Sequence, residues 1–201
     1  MLLVDGQQID RASPGAAGHP SAWRAERGSG HFSRIITLIM RINHITTEYD
    51  QAEDRVRLAI ASTEKQTYVL WLTRRLTERL VPVLVKDLKV ELGDEEATPS
   101  DLQAAQLYAQ LEARISKKPA KSVAVDAGAS QGLVHEMKIK STANGMRVIE
   151  FHCKDMEVAE LVVKPAELRQ WLEALRQAFV NGQWRNDVWP AWLQGKPRSK
   201  A

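Results

Sequence analysis

From residue 40 onward the apolar positions recur with a definite period, and before it they do not. Residues 42–49 are rich in β-branched side chains and read as a strand. Arg55-Val56-Arg57-Leu58-Ala59-Ile60 alternates polar and apolar, as a half-buried strand does. A turn at residues 62–65 leads to a third strand at 66–72. The period then lengthens. Thr73 can cap a helix reaching about Leu92, with Leu76, Leu80, Val83, Leu84 and Leu88 on one stripe. Pro82 lacks a backbone donor and crowds the carbonyl of Glu78, which predicts a kink or two shorter helices. Gly93 closes this segment, and an acidic connector follows. Thr98 or Ser100 caps a second helix running to about Lys117. Its apolar stripe is Leu102, Ala105, Leu107, Tyr108, Leu111 and Ile115.

A basic, then small-residue-rich loop spans residues 117–128. Leu133, His135, Met137 and Ile139 alternate with Val134, Glu136, Lys138 and Lys140, and Asn144-Gly145 is a strong hairpin signal. Residues 147–153 are the return strand, and 156–163 the next one. Pro165 opens a last helix, with Glu167 in its first turn. Leu168, Trp171, Leu172, Leu175 and Phe179 form its inner stripe, and Asn181-Gly182 ends it. Strands, two helices, three strands and a helix, with no internal repeat, predict an α+β fold. The expected architecture is an antiparallel sheet, open or folded as a sandwich. The paired helices 73–117 and the C-terminal helix pack against it. One domain is expected over residues 40–193, with a basic tail at 194–201. Residues 1–39 have no apolar period and read as a disordered or non-native extension. On the second of these readings Met40, at the head of the first clean strand, is the start of translation.

Composition adds limits. The chain has 201 residues, 44% hydrophobic and 26% charged, and a net charge of +3, too mild to announce a nucleic-acid or membrane protein. The single cysteine, Cys153, rules out an intrachain disulfide and fits a reducing, cytoplasmic compartment. No apolar run approaches the ~18–20 residues of a membrane span, and Asp5-Gly6-Gln7-Gln8 interrupts the N-terminal apolar run before it could serve as a signal peptide.

Candidate chemistry is sparse. The five histidines show no i, i+4 pair on a helix, and there is no Cys-x-x-Cys. His152 and Cys153 are strand neighbours, so they point to opposite faces. Cys153 shares a face with Ile149 and Phe151 and reads as a small buried hydrophobe. With His135 or His44 it is also the one conceivable thiol nucleophile. Phosphate-loop and nucleophile-elbow motifs do not occur, and no cofactor is expected. The acidic groups at 50–54 and 94–96 fall in turns, where solvated acid is the ordinary reading.

Two features suggest partners. Arg74, Arg75 and Arg79 open the first helix, and Lys117, Lys118 and Lys121 crowd one loop. Phosphate contact uses such groups. Arg74 and Arg75 also oppose the helix macrodipole, which hints at a partner charge. Six tryptophans is a high number, and Trp184, Trp189 and Trp192 fall on a short segment that Pro190 keeps from being regular helix. These rings either fold back over the core or dock a partner.

The order of a strand block, a helix pair at residues 73–117, later strands at 133–163 and a helix resembles the head domain of DNA end-joining and centriolar scaffold proteins. That resemblance implies a helix-turn-helix inserted into an antiparallel β-sandwich, and scaffolding by self-association. The last helix, residues 165–180, is short for the stalk of such proteins. The leading expectation is a non-catalytic interaction or adaptor domain, self-associating, with Trp184, Trp189 and Trp192 as its contact surface. The alternative is a nucleic-acid-binding accessory protein using the six basic residues. A thiol enzyme built on Cys153 comes third.

Overall fold

A computed structural model describes residues 2–4, 39–91, 98–185 and 187–194. Most of the expected extension and nearly all of the basic tail lie outside them. The elements are β1 (Leu2–Val4), β2 (Ile39–Asp50), β3 (Arg55–Ser62), β4 (Thr67–Leu72), α1 (Arg74–Glu91), α2 (Pro99–Ile115), β5 (Ser130–Ser141), β6 (Arg147–Cys153), β7 (Val158–Val163), α3 (Pro165–Asn181) and α4 (Ala191–Gln194). The fold is α+β.

The strands form two sets of three, each followed by a helix. In each set a 12-residue strand starts an antiparallel meander, β2-β3-β4 before α1 and β5-β6-β7 before α3. The head of each long strand crosses to the other set. Ile39–Arg41 of β2 pair in parallel with β7, and Ser130–Leu133 of β5 pair in parallel with β4. A register shift follows each crossing, between Ile42 and His44 in β2 and between Val134 and Glu136 in β5. Such a bulge bends a strand and increases its twist, which lets one strand leave one sheet and enter the next. Local alternation predicts the two antiparallel meanders. The parallel exchange between them is long-range and has no local signature. β1 adds to β5 in parallel.

Inward positions follow the alternation. Val56, Leu58, Leu70 and Leu72 of the first meander and Met137, Ile149, Phe151 and Leu161 of the second share one core with α1 and α3. Gly132 lies where β5 crosses over. A Cβ there would come within 2.3 Å of Met156 Sδ and 2.8 Å of Cys153 Sγ, so only glycine lets the strand pass. The hairpin at Asn144-Gly145 forms, with Gly145 at φ +77°.

Thr73 caps α1, its Oγ1 accepting from Leu76 N at 3.2 Å. The kink or break expected at Pro82 does not divide the element: α1 is a single helix of 18 residues. Leu76, Leu80, Val81, Leu84, Val85 and Leu88 are buried on both sides of the proline, which is itself exposed. Burying an aliphatic side chain stabilises by about 1.5–3 kcal/mol. The six together therefore outweigh the roughly 3 kcal/mol that an interior proline costs.

Candidate docking surface on the second helix

Thr98 opens α2 with a reciprocal cap. Its Oγ1 accepts from Asp101 N at 3.2 Å, and Asp101 Oδ2 accepts from Thr98 N at 3.1 Å. The hydrogen bonds from the Thr98 hydroxyl and backbone hold the Asp101 carboxyl below its usual range. The helix that follows has two unlike faces, and the molecule uses them in the opposite sense to a core helix.

The buried residues of α2 are Gln106, Gln110 and Ala113. Gln106 is the hub. Its Nε2 donates to the Leu88 carbonyl at 3.3 Å, and its Oε1 accepts from Arg169 Nη2 at 2.8 Å. Gln110 Nε2 and Arg114 Nη2 donate to Glu173 at 3.3 and 2.8 Å, and Gln170 Nε2 donates to the Ala113 carbonyl at 2.7 Å. The reason lies in α3, whose apolar side (Leu168, Trp171, Leu172, Leu175 and Phe179) is buried in the core. What it offers α2 is its polar side, Arg169, Gln170 and Glu173, and the amides of α2 meet that side with hydrogen bonds. A buried amide without a partner would cost about 1–3 kcal/mol, so this pairing fixes which face of α2 turns inward.

The apolar stripe therefore faces water. Leu107 is 51% exposed, Tyr108 64%, Leu111 50% and Ile115 78%. A stripe packed on the sheet is the sequence expectation, and the structure overturns it. A trough runs beside the stripe, lined by Tyr108, Leu111, Ile115, Pro165 and Ala166. The Tyr108 phenol hydrogen-bonds Glu112, which raises its pKa above the ordinary value. Covering the four large side chains would return roughly 1 kcal/mol or more apiece. Scattered surface leucines need no explanation. Four large apolar side chains at helical spacing with a trough beside them make a patch of the kind that marks an interaction site.

The tryptophans are the complementary correction. Trp184, Trp189 and Trp192 are 5%, 3% and 5% exposed, so they belong to the core and present no surface to a partner. After α3 the chain reverses at Gly182, where a Cβ would come within 2.7 Å of the Tyr49 ring. Trp184 then packs edge-on against Tyr49 and Phe179, and its Nε1 donates to Asp54 at 3.0 Å. Trp189 meets Phe179 edge-on at 5.2 Å, and Arg169 stacks 5.3 Å over Trp192.

The basic residues do not gather. Arg74 finds its partner within the chain, Glu78 at 2.7 Å, and its guanidinium lies 6.0 Å over Trp184. That supplies the charge its place at a helix N-terminus asks for. Arg75 and Arg79 are exposed on α1. Lys117, Lys118 and Lys121 are exposed too, but they rim a groove over β2 and α3 that none of the three arginines lines. Cys153 is buried, and burial pushes its thiol up to about 11, far from the thiolate a nucleophile needs at neutral pH.

Sequence reasoning passed over one polar cluster. Glu150 receives the Lys140 ammonium and lies 3.2 Å from His152 Nε2 on the outward face of β5 and β6. Burial pushes Glu150 up, but the hydrogen bonds from Lys140 and His152 outweigh it and leave the carboxyl below its usual range. The period-two spacing of Glu150 and His152 was the available signal. Among the described residues no three His, Cys, Asp or Glu side chains converge as a metal site needs, and no helix is long and apolar enough to cross a membrane.

Comparison with protein-family models, with curated proteins and with solved structures finds no match to this chain. The likeness in element order to scaffold-protein heads rests on that order alone.

Proposed function

We propose that this chain is a non-catalytic interaction domain of the cytoplasm that docks a protein partner through the outer face of α2. The observation that carries the reading is the inverted helix. Hydrogen bonds to α3 fix its amide side inward, while Leu107, Tyr108, Leu111 and Ile115 stand in water. A helix serving only its own core would bury that stripe. The non-catalytic part is supported by the state of the one thiol, buried and held protonated.

The test is the double variant Leu107→Glu/Leu111→Glu, followed by thermal melting and light scattering. The expected variant melts cooperatively within about 5 °C of the parent, because exposed positions carry little stability. It also loses any assembly the parent forms. A variant that no longer folds would overturn the reading, since the stripe would then be core. So would a parent that assembles and a folded variant that keeps that assembly.

A further inference from the structure

We infer that the occupant of the α2 face is the α2 of a second copy of this chain, lying antiparallel about a two-fold axis at Leu111. This rests on the docking reading above and names its partner.

The spacing of the stripe points to a second copy. Leu107, Leu111 and Ile115 are four residues apart, with Leu111 in the middle. A half-turn about Leu111 sets Leu107 against Ile115 of the second copy and Leu111 against itself. The face is thus its own complement, which an isologous pair requires. The trough at Pro165 and Ala166 runs alongside and widens the apolar strip beyond one helix.

Charge along the helix points the same way. The helix begins at an acidic end: Asp101 is exposed there, and no Lys or Arg occurs between residues 98 and 105. It finishes at a basic end, with Lys117 and Lys118 exposed just past its last turn. An antiparallel copy lays the acidic end over the basic end twice. A parallel copy lays like over like. The helix dipoles favour the same orientation. One helix face with its rim sits at the low end of stable interface size, so dissociation on the order of micromolar is expected.

The experiment uses the full chain carrying Cys153→Ser, so that an added thiol is the only one. Leu111→Cys places a thiol on the axis. Ala104→Cys, two turns earlier on the same side and exposed, places one about 10 Å along the helix, so the two thiols of an antiparallel pair stand roughly 20 Å apart and those of a parallel pair lie close together. Under mild oxidation Leu111→Cys is expected to form a covalent dimer at least about tenfold faster than Ala104→Cys. Circular dichroism confirms that both variants fold, and light scattering of the unmodified chain gives an independent reading of dimer. Equal cross-linking at both positions would overturn the inference in favour of a parallel pair. A folded chain that stays monomeric up to about 200 µM would overturn it too. The docking reading would then survive with a different protein as partner. A dimer that persists in Leu107→Glu/Leu111→Glu sinks both.

Discussion

The second helix and the C-terminal aromatic segment exchange the places their sequences suggest. α2 has a clean apolar stripe, and that stripe is in water. The segment around Trp184, Trp189 and Trp192 is irregular, polar-flanked and close to the end of the chain, and its rings are in the core. Periodicity shows that a helix has two faces. It does not show which face the rest of the molecule can satisfy. For α2 the neighbouring surface is the polar side of α3, and amides fit it. For the tryptophans the neighbouring surface is Phe179, Tyr49 and the Arg169 guanidinium, and rings fit those.

The largest way to break the comparison is to remove one member of it. A chain ending at residue 182 loses Trp184, Trp189, Trp192 and Leu193, all buried. Losing a single core Trp or Phe ring costs about 3–5 kcal/mol, and whole-domain stability is about 5–15 kcal/mol. The truncated chain is expected to lose its cooperative thermal melt and to aggregate. A folded, soluble 1–182 fragment would show that the segment is an appendage, and the contact surface first read there would regain its place.

A smaller effect tests what turns α2 around. Gln106→Ala removes the acceptor for Arg169 Nη2 and the donor to the Leu88 carbonyl, both in buried surroundings. The expected cost is about 1–3 kcal/mol in denaturant unfolding. Amide exchange is expected to accelerate in α2 before it does in α3, because α3 is still held by its apolar side in the core. Equal acceleration in both helices would show that Gln106 does not govern the docking of α2.

Much of the frame was legible in the sequence, and the reason is locality. The α3 stripe, the Thr73 cap and the Asn144-Gly145 hairpin are each set by residues within a few positions of one another, and each is found. The heads of β2 and β5 pair with strands of the opposite meander. Residue 39 meets 158 and residue 130 meets 68, contacts that no local period encodes. The candidate site failed for the same reason. The stripe Leu107, Tyr108, Leu111, Ile115 was visible as a stripe, but its exposure is decided 60 residues away by Arg169, Gln170 and Glu173. Arg74 looked free for a phosphate because Trp184, 110 positions on, could not be placed beside it.

The smallest expected difference sharpens the comparison most, because it makes the same kind of deletion in both regions. Trp184→Phe keeps an aromatic ring but removes the indole donor that reaches Asp54 at 3.0 Å, and leaves space in a packed cluster. About 1–3 kcal/mol of stability should be lost. Tyr108→Phe also keeps its ring and loses its polar handle, a phenol bonded to Glu112 on an exposed turn. Its stability should stay within about 0.5 kcal/mol of the parent. Chemical denaturation of the two variants side by side measures both. If Tyr108→Phe costs as much as Trp184→Phe, the outer face of α2 is held by its own polar contacts and is not waiting for a partner. If neither changes, the tryptophan segment is looser than its burial implies, and the two regions are less different than they look.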